Sequence, residues 1–135
     1  MATIVTRINK GSALTFQEGD DNFVNLNNDK LEASGGEITG YSETIHDLGS
    51  TDTPTIDVAN GNVQTVAISS GLTLPTFSNA AAGQSVTLLV TGTGTASGAA
   101  GYIFAGGNTD LTTNSVVSIV YDGTNYWASI ATDFQ

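Results

Sequence analysis

The stretch from Ser115 to Ile130 constrains the fold more than any other part of the chain. It reads Ser-Val-Val-Ser-Ile-Val-Tyr, then Asp-Gly-Thr-Asn, then Tyr-Trp-Ala-Ser-Ile. Two β-branched and aromatic runs flank a turn built on Asp122-Gly123, a pattern that specifies a β-hairpin. Gly123 and Asn125 are expected to supply the positive φ angles of the reversal. The single Trp and two of the four Tyr lie here, so the hairpin is expected to form the hydrophobic heart of an all-β domain. Strand alternation puts Tyr126 and Ala128 on one side and Trp127 and Ser129 on the other.

From Thr55 onward the rest of the chain also reads as β. Thr55 to Val58 and Asn62 to Ser69 flank Asn60-Gly61, the strongest two-residue hairpin signal. Leu72 to Phe77 follows, with Pro75 marking an edge or kinked strand. Ala80 to Gly83 is a loop, and Ser85 to Thr91 has the apolar density of a buried strand. Thr91 to Gly101 is almost wholly Gly, Thr, Ser and Ala. Its side chains look too small to pack a core, so it is expected to be a flexible or fitted loop. Tyr102-Ile103-Phe104 is a short strand closed by Gly106-Gly107. Turn signals about every ten residues predict a mainly β fold, a C-terminal β-sandwich or jelly-roll-like domain over residues 54–135.

The preceding residues read differently. Ile4, Val5 and Ile8 suggest a short strand or extended arm ended by Gly11-Ser12. Leu14 to Ser34 is the one helical candidate. Thr15-x-x-Glu18 matches a capping box, acids fall early, Lys30 falls late, and Gly35-Gly36 is a stop. Phe16, Phe23, Leu26 and Leu31 form a narrow apolar stripe among Asn22, Asn25, Asn27 and Asn28. So polar a helix suits an oligomer or a docked partner, and a capped turn with an irregular arm is the alternative. Residues 1–34 are read as an arm with one short helix. Residues 35–53, rich in Gly, Ser and Thr, are read as a linker.

Charge narrows the function classes. The net charge is −10, and all three cations, Arg7, Lys10 and Lys30, precede nine acids that begin after Leu31. Such a surface repels phosphate backbones, which argues against nucleic-acid binding. The cationic start of the arm suits docking on an acidic surface. There is no Cys, hence no disulfide or thiolate metal site. No apolar run follows Met1 and none reaches the length of a membrane span. The expectation is a protein made in a cytoplasm and not inserted in a membrane.

Nothing in the sequence assembles a catalytic set. His46 is the only histidine and lacks an evident nucleophile. Asp110, Asp122 and Asp133 are the acids of the distal β region, and Asp122 looks committed to its turn. Glycoside cleavage would need two of them held in a cleft. Asp20, Asp21, Asn22 and Asp29, or Asp47, Asp52 and Asp57, offer oxygen ligands, yet neither set matches a calcium loop. No catalytic, metal or cofactor site is assigned. Tyr102, Tyr121, Tyr126 and Trp127 are the candidates for a glycan-stacking face, with Tyr126 and Trp127 foremost; core or intersubunit packing is the alternative.

Thr6-Arg7-Ile8-Asn9-Lys10-Gly11-Ser12-Ala13-Leu14-Thr15-Phe16-Gln17-Glu18-Gly19-Asp20, with Asn22-Phe23 and Asn25-Leu26-Asn27, resembles the N-terminal segment of tailed-bacteriophage virion proteins, notably those of cyanophages and other marine phages. Asn79 to Leu88, the Ala105-Gly106-Gly107 step and Val120 to Trp127 are similar to a β module of phage fibre and appendage proteins. The resemblance implies a virion structural protein, commonly a homotrimer, in contact with other capsid or tail proteins. The expected function is therefore a non-enzymatic virion protein on the particle surface. Length favours a capsid decoration, cement or short head-fibre protein, with Phe16, Phe23, Leu26 and Leu31 as oligomer or anchor contacts. The alternative is a short tail fibre or tail-tip adhesin binding host surface glycans through Tyr126 or Trp127. It requires one of these rings to be exposed in a concave patch.

Overall fold

A computed structural model describes residues 4–29 and 40–135. The chain divides into two compact units, Met1–Tyr41 and Ser42–Gln135.

In the first unit Ile4 to Thr6, read as the start of a short strand or extended arm, carry no regular structure, and Arg7–Lys10 form one turn of helix, α1. Local chemistry explains the difference. The Thr6 hydroxyl accepts from the Asn9 N–H, and Gly11 closes the turn at φ 70°. With caps at both ends and no partner strand to pair with, Ile8 is held in the turn. The second helix, α2 (Phe16–Asp29), forms where the capping box predicts. The Glu18 N–H donates to the Thr15 hydroxyl at 3.2 Å, and the Thr15 N–H donates to Glu18 Oε2 at 2.7 Å. The Lys10 ammonium also binds Glu18 Oε2. That bond, followed by the Thr15 N–H, holds the Glu18 carboxyl below its ordinary value. Asn22 clamps the arm to the helix: its amide accepts from the Val5 N–H and donates to the Val5 carbonyl, both at 2.9 Å. Leu31, Lys30 and the Gly35-Gly36 stop lie outside the described residues.

The second unit is a β-sandwich. One sheet has six strands in the order β1 (His46–Ser50), β2 (Val63–Ala67), β4 (Gln84–Thr91), β8 (Asn114–Tyr121), β9 (Tyr126–Ala131), β6 (Tyr102–Phe104). The other has three, β3 (Gly71–Leu74), β5 (Gly94–Gly98) and β7 (Asp110–Leu111). The chain winds between the layers, since β2 and β4 lie in the large sheet while β3 and β5 lie in the small one. Parallel neighbours need a crossover. Here β3 of the small sheet serves as the crossover for the parallel pair β2–β4, and β4 of the large sheet for the parallel pair β3–β5.

Three sequence expectations change. Residues 46–50 of the supposed linker are β1, paired in parallel with β2, and the Asp52 carboxylate receives the Ser69 N–H at 2.7 Å and the Ser70 hydroxyl at 2.7 Å, holding the β2–β3 turn. Asn60-Gly61 makes no hairpin. Asp57 caps a 3-10 turn over Val58–Asn60 through the Ala59 N–H. The buried Gln64 amide donates to the Asp57 and Gly61 carbonyls, both at 2.9 Å. These side-chain bonds redirect the chain into a parallel connection. Finally, the small-residue stretch after Thr91 is β5, not a loop. Small residues are required there because neighbours come close. A Cβ on Gly94 would lie 2.7 Å from the Gly71 Cα, and one on Gly98 would lie 2.3 Å from the Tyr102 ring.

The core lies between the layers. Val66, Val86, Leu88, Val117 and Ile119 from the large sheet meet Leu72, Leu74, Ala96 and Leu111 from the small one, all buried. Each large aliphatic side chain among them contributes on the order of 1.5–3 kcal/mol by leaving water.

Candidate functional site

The hairpin β8–β9 forms as its sequence specifies, and its turn builds the most distinctive surface of the domain. Asp122 accepts from the Thr124 N–H at 2.8 Å, the Asn125 N–H at 2.7 Å and the Trp127 indole N–H at 2.7 Å. These donors, the Asn125 amide foremost and then the indole, lower the Asp122 pKa to about 2. Gly123 takes the positive φ, at 102°, and Asn125 does not, because the Asp122 side chain supplies the turn's hydrogen bonds.

Alternation then sorts the aromatics. Tyr126 points inward and is buried at 5% exposure, whereas Trp127 is 51% exposed. Tyr121, Tyr126 and Tyr102 share one row across β8, β9 and β6. Their rings stack, with Tyr126 centred 4.6 Å from each neighbour. Phe77 meets Tyr126 edge-on at 4.9 Å, its N–H donates to the Tyr126 hydroxyl at 3.2 Å, and the Tyr102 hydroxyl donates to the Pro75 carbonyl at 2.8 Å. Burial pushes the Tyr102 phenol well above its ordinary value. The tyrosines therefore bind the segment after β3 to the large sheet. Tyr126 is removed as a glycan contact, because its ring is enclosed by protein on both faces.

Trp127 stands on the opposite face. In register it is flanked by Val120 on β8 and Ile103 on β6, themselves 46% and 41% exposed. A shallow concavity of about 500 Å³ lies among these three, Phe104, Ser118 and Ser129. Sequence reading singled out Trp127 but missed Val120 and Ile103. The signal was present as parity: both fall in strands at positions whose neighbours are core residues.

The other candidates are dispersed. In the arm, Phe16, Phe23 and Leu26 are exposed, so the stripe on α2 is left bare. Asp21 accepts from Gln17 and Asn22 holds Val5. Asp47 accepts from the Gly49 N–H and the Thr65 hydroxyl. Asp57 accepts from Asn79, which together with the Ala59 N–H lowers its pKa. Hydrogen bonds to the Ser69 N–H and the Ser70 hydroxyl lower that of Asp52. Each of these side chains is thus engaged in holding a turn, a strand or a neighbouring segment. Among the described residues no group of three or more His, Cys, Asp or Glu gathers to hold a metal ion. His46 sits on the edge strand β1, Asp110 on β7, and Asp133 beyond β9, where its N–H donates to Thr112. Among the described residues, no helix is long and apolar enough to cross a membrane.

The chain matches no protein-family model, no curated protein and no solved structure.

Proposed function

We propose that this chain is a non-enzymatic structural protein of a tailed-bacteriophage particle, carried on the particle surface as a capsid decoration, cement or short head-fibre protein. The observation that carries the reading is the bare stripe of Phe16, Phe23 and Leu26 on a helix capped at its N-terminus. Apolar side chains held in one order and left in water are the mark of an attachment surface. The N-terminal segment bearing them resembles the equivalent segment of phage virion proteins. In this reading residues 1–34 grip the particle and the acidic sandwich projects, keeping particles apart by like charge. Leu31 continues the stripe in sequence. The resemblance also carries the expectation of a homotrimer.

The test is to label purified virions with an antibody against the sandwich and image them by electron microscopy. Label over the capsid supports decoration, and its absence from the particle overturns the reading. Deleting residues 1–34 is expected to leave a folded sandwich that no longer joins virions.

A second reading, adhesion to a host glycan, is supported by the half-exposed Trp127 above a concavity. Label confined to the tail, with glycan binding lost in Trp127→Ala, is the outcome that favours it.

A further inference from the structure

The outward side chains of the large sheet lie in rows across the strands. One row runs Ser85, Val120, Trp127, Ile103. Another runs Thr65, Leu89, Val116, Ala131. No outward position on β2, β4, β8 or β9 carries a charge. Yet Ser42–Gln135 holds seven acids and no Lys or Arg. Those acids occupy turns, edges and the small sheet. Two acids border this face: Asp47, on the edge strand β1, where Thr65 bonds it, and Asp122, in the β8–β9 turn, whose carboxylate receives the Trp127 indole N–H.

A domain of uniformly negative charge meets its own copies poorly almost everywhere, because opposed like charges cost several kcal/mol. The face whose interior carries no acid is where copies approach at the least cost, and interface cores are depleted of charge in the same way. The area is also of the right order. The four strands without outward charge, at about 4.8 Å spacing, span roughly 19 Å. Strands of eight residues, β4 and β8, run about 26 Å. That footprint of several hundred Å² approaches the ~800 Å² each partner brings to a stable interface. A sugar site, by contrast, pairs its stacking ring with several converging polar groups, and the concavity beside Trp127 offers only the Ser118 and Ser129 hydroxyls.

We infer that this face packs against other copies of the chain, with Trp127, Val120 and Leu89 in the contact. The inference rests on reading the protein as an assembled structural component. Its test is separate from virion labelling, because it uses the purified chain alone.

The experiment is light scattering after size-exclusion chromatography of the full chain, beside Leu89→Asp, Val120→Asp, Thr87→Asp and Phe23→Asp, with circular dichroism to check folding. The wild type is expected at a multiple of its 13.8 kDa mass. Each sheet-face variant should weaken association by at least ~100-fold, while Phe23→Asp leaves it intact. A measurement without substitutions guards against misfolded variants: on dilution of the wild type, the emission of Trp127 should shift to longer wavelength as the oligomer parts. A monomeric wild type overturns the inference. So does an oligomer that Phe23→Asp dissolves and the sheet variants do not, which would place association on the arm. Quenching of Trp127 in a monomer by a neutral oligosaccharide such as maltohexaose also overturns it, in favour of a glycan.

Discussion

The Trp127 indole N–H donates to the Asp122 carboxylate across 2.7 Å. One side chain therefore both closes the β8–β9 turn, through the Thr124 and Asn125 amides, and fixes the orientation of an exposed aromatic ring. Because Trp127 is the single Trp, its fluorescence reports this bond directly.

The hydrogen bonds to Asp122, the Asn125 amide first and the Trp127 indole next, set a pH dependence. The folded pKa of Asp122, about 2, lies below the ordinary 3.8. A depressed carboxylate contributes stability that is present above the ordinary value and disappears as pH falls through the folded value. The urea midpoints of wild type and Asp122→Ala should therefore differ at neutral pH and converge between about pH 3.8 and 2. Trp127 emission in the wild type should titrate near the lower figure. A difference that persists unchanged across that window removes the assignment.

Gly98 underlies the tyrosine stack. A methyl group there would lie 2.3 Å from the Tyr102 ring, so Gly98→Ala should displace Tyr102 and loosen its hydroxyl bond to Pro75. The expected cost is ~1–3 kcal/mol, as for overpacking elsewhere. Near-ultraviolet circular dichroism of the tyrosines should weaken. A variant with wild-type stability and an unchanged tyrosine signal would show that β5 does not run beneath Tyr102.

The capping box should govern the arm alone. Thr15→Ala removes the acceptor of the Glu18 N–H and should cost α2 about 1 kcal/mol. Amide exchange in residues 16–29 should accelerate while the sandwich strands stay protected. Equal acceleration in both units would contradict their division at Tyr41.

The core should answer to inward parity. Leu88 and Ile119 are fully buried on neighbouring strands, and Leu88→Ala should cost about 2–5 kcal/mol. Urea unfolding followed by far-ultraviolet circular dichroism reads this. A cost below ~1 kcal/mol would mean that the inner face is assigned to the wrong residues.

Much of this was legible where residues act locally. Thr15 and Glu18 announced the start of α2, and Asp122-Gly123 announced the hairpin, because each structure is made by side chains a few residues apart. Alternation alone placed Trp127 opposite Tyr126. The failures have one cause in common. Asn60-Gly61 is a hairpin signal overruled by Gln64, whose amide ties down the Asp57 and Gly61 carbonyls. Residues 46–50 look like a linker because His-Asp-Leu-Gly-Ser has little strand character, and they become β1 through the open edge that β2 offers. The stretch after Thr91 looks unable to pack, yet its smallness is what lets Gly94 lie against Gly71 and Gly98 lie under Tyr102.

The sequence by itself determined the class of fold, the capped helix of the arm, the final hairpin and the absence of cations beyond Lys30, since propensity, capping and charge are written in neighbouring residues. Only the tertiary structure decided that the strands wind between two layers in parallel pairs, that three tyrosines stack across β8, β9 and β6, and that the outward positions of four strands join into one uncharged face. Those features arise from register between segments far apart in the chain. Register depends on which edges and surfaces meet, a choice made by the packed whole.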